Sequence, residues 1–137
     1  MILVDTNVWS ELIRPEPDPR VVHWEAGNMH LLWLSAIVLA EFRARSALMA
    51  DGRRKAAIEQ EIEKIVLVYA DRILPFDDRC SREYSLVLRL ARDAGAPIGT
   101  ADALIAATAR AHGLRLATRD RNDFAGVGLE LIDPWQA

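Results

Sequence analysis

The chain opens on Ile2-Leu3-Val4-Asp5-Thr6-Asn7-Val8-Trp9-Ser10-Glu11-Leu12-Ile13, an apolar run that gives way at one aspartate to a helical pattern. Ile2 to Val4 reads as a strand, and about Asn7 to Ile13 as a helix. Pro15, Pro17 and Pro19 stop that helix. Pro19, with its φ already fixed, can open the next one through His23 and Trp24. The alternation recurs downstream. Leu31 to Leu34 predicts a second strand, after which Ser35 can cap a helix from Ala36 to about Met49, with Asp51-Gly52 as the turn. A charged amphipathic helix follows from about Arg53 to Tyr69, with Ile58, Ile62, Ile65 and Val66 on one face. Ile73-Leu74-Pro75-Phe76 is a short extended piece, and a helix from about Asp78 to Ala94 ends at Gly95 and Pro97. Thr100 can cap a helix from Ala101 to His112, closed by Gly113. Leu114 to Ala117 and Leu129 to Ile132 are the remaining strands. Strands alternating with helices indicate an α/β fold, a largely parallel sheet flanked by helices.

The 137 residues suit one domain spanning 1–137, and 51% hydrophobic with 27% charged residues is an ordinary globular composition. A chain of this size buries enough surface to fold without a metal or disulfide staple. The one cysteine, Cys80, excludes an internal disulfide and suits a reducing cytoplasm. Asp5 interrupts the only apolar run near the start, so no secretory core is expected, and no stretch reaches the length of a membrane span. These features describe a soluble intracellular protein. A net charge of −3 argues against binding nucleic acid by bulk electrostatics. It leaves open an enzyme whose acids converge on a metal while its arginines lie elsewhere. Of the 17 basic residues only Lys55 and Lys64 are lysines; genomic base composition explains that bias more simply than phosphate recognition.

In an open parallel sheet the ligand site lies at the carboxyl ends of the strands. Asp5 follows the first strand, and Asp120 follows the strand ending at Ala117, with Asp123 three residues on. Glu41 lies about two turns into the helix after the second strand, and Asp102 in the first turn of the helix near Thr100. Each has an ordinary structural reading. Asp5 or Thr6 can cap the first helix, Asp102 complements a helix dipole, Asp120 or Asp123 can cap a turn, and Glu41 can pair with Arg45. The surroundings shift the balance. Ala36-Ile37-Val38-Leu39-Ala40-Glu41-Phe42 is apolar except at Glu41, and Ala101-Asp102-Ala103-Leu104-Ile105-Ala106-Ala107 repeats the pattern with Asp102. A helix apolar all round is a buried one, and a buried carboxylate is costly unless its charge is compensated. Two such helices, together with acids at two strand ends, imply a shared cation. All-oxygen ligands select Mg²⁺, Mn²⁺ or Ca²⁺. No Cys/His constellation suggests zinc, and His23, His30 and His112 are given no role. Such a site suits phosphodiester hydrolysis by a metal-activated water.

The ordered motifs resemble the PIN-domain toxins of the VapC type, in particular their FitB-like branch. The resemblance is carried by Met1 to Leu12, by Leu34-Ser35-Ala36-Ile37-Val38-Leu39-Ala40-Glu41, and by Pro97 to Ala107. It continues through Leu116-Ala117-Thr118-Arg119-Asp120-Arg121-Asn122-Asp123-Phe124 and Ile132-Asp133-Pro134-Trp135. No one motif is decisive; their order and spacing from Met1 to Trp135 are. The resemblance implies a Rossmann-like PIN fold and a Mg²⁺- or Mn²⁺-dependent endoribonuclease, the toxin of a toxin–antitoxin pair. It also implies a homodimer, silenced by a co-encoded antitoxin whose C-terminal segment covers the acidic groove. By position Asp5, Glu41, Asp102 and Asp120 are the catalytic and metal-holding quartet and Asp123 an auxiliary metal acid. Thr6, Asn7 and Thr118 are expected to orient ligands or contact phosphate. Two departures stand out: Arg45 occupies a position often held by a small residue, and Asp120 one often held by asparagine.

Two alternatives stay open. One is a PIN fold that has lost catalysis and serves as a binding module, against which the complete set of acids argues. The other is a phosphatase of the haloacid-dehalogenase type, which would want an aspartate where Asn7 stands and a lysine at the site. Receiver domains share that need for lysine, and no phosphate-binding glycine loop of the P-loop type is present. For RNA, Arg14, Arg20, Arg43, Arg45, Arg53 and Arg54 can line a single-strand groove and Trp9 can stack on a base, although Trp9 also suits a core position. The helices from Ala36 to Tyr69 are the expected dimer surface.

Overall fold

The computed structural model describes residues 1–137. β1 (Ile2–Val4) is wholly buried and runs into α1 (Thr6–Leu12) through Asp5, whose extended backbone and carboxylate cap the helix. α1 therefore starts one residue earlier than its pattern predicts, and Asp5 rather than Thr6 is the cap. α2 (Pro19–Asn28) has Pro19 at its first position and Asp18 as its cap. A 3-10 turn at Met29–Leu31 leads to β2 (Leu32–Ser35). Ser35 then caps α3 (Ala36–Ala47), its Oγ accepting from the Val38 N–H at 3.0 Å. α4 (Arg53–Val68), β3 (Ile73–Leu74) and α5 (Asp78–Asp93) follow, the last capped by Asp77. α6 (Thr100–Ala111), β4 (Arg115–Ala117), a 3-10 turn at Arg121–Phe124 and β5 (Leu131–Ile132) complete the chain.

All four strand pairings are parallel, in the order β3-β2-β1-β4-β5. Ile2 and Leu3 sit opposite Leu32 and Trp33 on one side and opposite Arg115 and Leu116 on the other. This order positions the site. The chain steps outward from β1 to β2 and β3, then returns to lay β4 on the other side of β1. Connections from β1 and β4 therefore leave in opposite directions at their carboxyl ends, and a crevice opens there.

The core is built on β1, β2 and β4. Ile2, Leu3, Val4, Leu32, Leu34 and Leu116 are at most 1% exposed, each contributing about 2 kcal/mol of burial. α6 lies against this layer with Ala103, Ile105, Ala106, Ala107 and Ala109 buried, as its apolar sequence requires.

Three expectations need correction. α3 is not buried all round: only Val38, Phe42 and Ser46 are buried and Ala40 faces solvent, because a helix flanking an open sheet covers it with one stripe. Thr100 is the first residue of α6, not its cap. Gly99 takes that place, with no side-chain bond to the helix end. β5 is two residues long, shorter than its apolar run, because pairing with β4 involves only Leu131 and Ile132.

Candidate active site

The crevice holds a cavity of about 370 Å³ lined by Asp5, Glu41, Asp102 and Asp120, with Thr6, Asn7 and Arg45 among its other walls. Four acids far apart in sequence are brought together by four local devices: the end of β1, the second turn of α3, the first turn of α6 and the loop after β4. Asp123, in the 3-10 turn, is exposed and does not line the cavity.

Three of the four acids are aimed by specific donors. Asp5, 4% exposed, accepts at Oδ1 from the Thr6 N–H (2.7 Å) and at Oδ2 from the Thr118 hydroxyl (2.8 Å). Thr118 is wholly buried, and its Oγ1 also accepts from Asn7 Nδ2 (3.2 Å) and from the Asp120 N–H (3.1 Å). Asn7 bridges onward, donating from Nδ2 to Asp120 Oδ2 (3.0 Å) while its Oδ1 accepts from the Arg119 N–H (3.4 Å). On the opposite wall the Thr6 hydroxyl donates to Glu41 Oε1 at 2.6 Å. Thr6, Asn7 and Thr118 thus hold three of the four acids in place. Glu41 is taken by Thr6, and Arg45 turns to Ser10 instead (3.1 Å), so the Glu41–Arg45 pair expected from their spacing does not form.

The electrostatics follow from burial and crowding. Burial pushes the Asp5 carboxyl up to about 6; the Thr118 and Thr6 hydrogen bonds oppose this, and the charges of Asp102 and Glu41 add to it. Asp102 is raised by burial first, then by the charges of Asp123, Glu41 and Asp120. Asp123 therefore acts on Asp102 through space although it stands outside the cavity lining. The acids interact as one group of like charge.

The donors suit a hard cation. The cavity carries carboxylate and hydroxyl oxygens but neither histidine nor cysteine, which excludes a soft-metal site. No three acids close into a ligand cage as they stand, as expected for like charges held apart by their own hydrogen bonds. Mg²⁺ is commonly bound through one or two carboxylates while it keeps several waters, so the open arrangement fits it. No lysine lines the cavity, so the phosphatase alternative lacks the residue it would want there.

Sequence reading expected Arg14 and Arg45 at a groove but missed part of the lining: Ser10, Glu11, Arg119 and Trp135. Glu11 is 7% exposed, paired with Arg14 Nη1 at 3.3 Å and accepting from the Asp18 N–H. The available signal was the polar stripe Asn7, Ser10 and Glu11, spaced at i, i+3 and i+4 on α1, with Arg14 just beyond its end. Trp135 lies under the Arg119 guanidinium, 4.9 Å from ring centroid to Cζ. Trp9 is a core residue, 1% exposed and edge-on to Tyr69 at 5.1 Å, and has no free face for a base.

The chain is similar to known proteins along nearly all of its length. The model of the PIN domain family matches residues 2–129. A Sinorhizobium fredii protein named VapC ribonuclease is 46% identical over 99% of both chains. The protein named Toxin FitB from Neisseria gonorrhoeae is 41% identical over 98% of this chain and 99% of its own. The crystal structure of FitAcB from the same organism superposes with a TM-score of 0.91 at 40% identity, covering all of both chains.

Proposed function

The chain belongs to the PIN domain family, and we propose that it is a toxin endoribonuclease whose clustered acids hold a divalent cation while RNA is hydrolysed. One observation carries the reading: Asp5, Glu41, Asp102 and Asp120, drawn from four separate segments, line one cavity at the point where the sheet order reverses.

Asp5, Glu41, Asp102 and Asp120 are the catalytic residues and the holders of Mg²⁺ or Mn²⁺, and Asp123, expected from the sequence as an auxiliary metal acid, adds its charge from outside the cavity lining. That ion supplies a Lewis acid for the phosphoryl oxygens and eases deprotonation of the attacking water. The chain's own groups fix the geometry. The Thr118 hydroxyl holds Asp5 Oδ2, the Thr6 hydroxyl holds Glu41 Oε1 and Asn7 Nδ2 holds Asp120 Oδ2. The free oxygens of these three carboxylates are aimed by those bonds, so little reorganisation is needed when charge builds on the phosphate. Hydrolysis joins the water oxygen to phosphorus as the ester P–O bond breaks. One proton leaves the water and one reaches the departing oxygen.

As such a toxin the protein is a single domain over 1–137, cytoplasmic, a homodimer and restrained by a cognate antitoxin. No helix is long and apolar enough to cross a membrane.

Incubating the purified protein with a mixed pool of RNAs, with and without Mg²⁺ or Mn²⁺, tests the activity. Metal-dependent cleavage by the wild type, absent from a Glu41→Gln/Asp102→Asn variant, is expected. Equal cleavage by both proteins, or none by either in the presence of metal, rejects it.

A further inference from the structure

Arg45 has no carboxylate partner, unlike Arg14 and Arg43. Arg14 is paired with Glu11 and Arg43 with Glu63 on α4, which takes Arg43 out of the set expected to line a groove. Arg45 makes one hydrogen bond, to Ser10 Oγ at 3.1 Å, which leaves most of its five N–H donors free. It lines the acidic cavity and also a second, more apolar groove of about 290 Å³ between α1, α3 and α4. Ser10 and Arg14 are shared as well, so the two spaces adjoin. Ile13, Phe42, Met49 and Ile58 contribute apolar walls to the groove, and Arg54, also without an ion pair, stands on its α4 side. Its one acid, Glu61, is already paired with Lys64 at 2.9 Å.

We propose that this groove seats the nucleotide next to the one that is cut, with Arg45 holding the phosphate between the two spaces. The inference rests on the RNA reading above. An RNA strand cut internally must continue past the acidic cavity, alternating a phosphate with a flat base. An unpaired guanidinium at the junction matches the phosphate, to which arginine binds in a two-pronged way. An apolar recess beyond it matches the face of an unstacked base. Arg54 then meets the following phosphate. With Arg45 and Arg54 unpaired and Glu61 already taken by Lys64, the rim suits a polyanion.

Binding of a fluorescein-labelled, mixed-sequence single-stranded RNA, followed by anisotropy over a range of salt, tests this, with steady-state cleavage measured in parallel. Arg45→Ala weakens binding about tenfold and flattens the dependence of log K on log salt by about 0.7. In cleavage it acts mainly on KM rather than kcat. Arg45→Lys keeps the salt dependence but recovers only part of the affinity, since an ammonium lacks the fork. Arg54→Ala gives a smaller loss of the same kind. Arg82→Ala, the same charge change on α5, where Arg82 pairs with Asp78, leaves binding unaltered.

Affinity and salt dependence unchanged in Arg45→Ala overturn the proposal, as does an equal loss in Arg82→Ala, which would mean bulk charge alone. A loss in Arg45→Ala with none in Arg54→Ala overturns the groove as the path of the strand. Unaltered RNA binding with weakened capture of the cognate antitoxin assigns the groove to a protein partner. If the wild type neither binds nor cuts RNA, the nuclease reading itself fails, an outcome distinct from all of these.

Discussion

Replacing Asp5 by asparagine should make the metal-free protein more stable near neutral pH while removing its activity. Asp5 is 4% exposed, and its carboxyl is raised from 3.8 to about 6, chiefly by burial. A carboxyl raised by folding favours the folded state only while protonated. That contribution is complete below the unfolded value and is lost as the pH climbs through the folded one. Once ionised, Asp5 costs about 3 kcal/mol, at 1.36 kcal/mol per pKa unit. Asparagine cannot ionise and still offers an oxygen to the Thr6 N–H, but it loses the acceptor used by the Thr118 hydroxyl, about 1 kcal/mol. Asp5→Asn should therefore be about 1–2 kcal/mol more stable near pH 7.5, roughly 3–8 °C in Tm for a domain of this size. Near pH 4 it should be level or about 1 kcal/mol weaker. Urea denaturation in EDTA at several pH values reads this directly. Added Mg²⁺ should stabilise the wild type and leave the variant unmoved. A variant less stable than wild type throughout the pH range would refute the reasoning and leave Asp5 a helix cap alone.

Thr118→Val removes one donor and one acceptor at the buried junction of Asp5, Asn7 and Asp120. A loss of about 2–3 kcal/mol is expected by urea titration, with cleavage falling further than stability explains. Thr6→Val frees Glu41 and should weaken Mn²⁺ binding about 10–100-fold, measured by calorimetry, with the circular dichroism spectrum unaltered. Gly126 has φ +80°, and an added Cβ would stand 2.8 Å from the Ala94 Cβ. Gly126→Ala should therefore cost about 1–3 kcal/mol in thermal melts, with activity per folded molecule retained.

The elements that carry strong local chemistry were legible in the sequence. Ser35 and Pro19 marked helix starts where the structure has them, and the acid-bearing runs on α3 and α6 identified two walls of the cavity. What stayed hidden depends on the third dimension. The strand order, with β4 returning beside β1, is set by pairing partners far apart in the chain. The partner of Glu41 was misread because local spacing favours Arg45, whereas the fold offers the nearer hydroxyl of Thr6. Glu11 escaped notice because pairing with Arg14 is an ordinary surface pattern; only the packing of α1 against the crevice buries it. α3 read as fully buried because periodicity reports apolar character, not the side from which a neighbour comes.

Isothermal calorimetry of Mn²⁺ added to the metal-free protein tests the central claim most directly, with the Glu41→Gln/Asp102→Asn variant alongside. Saturable binding by the wild type and none by the variant is the predicted result. Equal binding by both proteins, or no binding by the wild type, would contradict it and reduce the four acids to caps and surface charge.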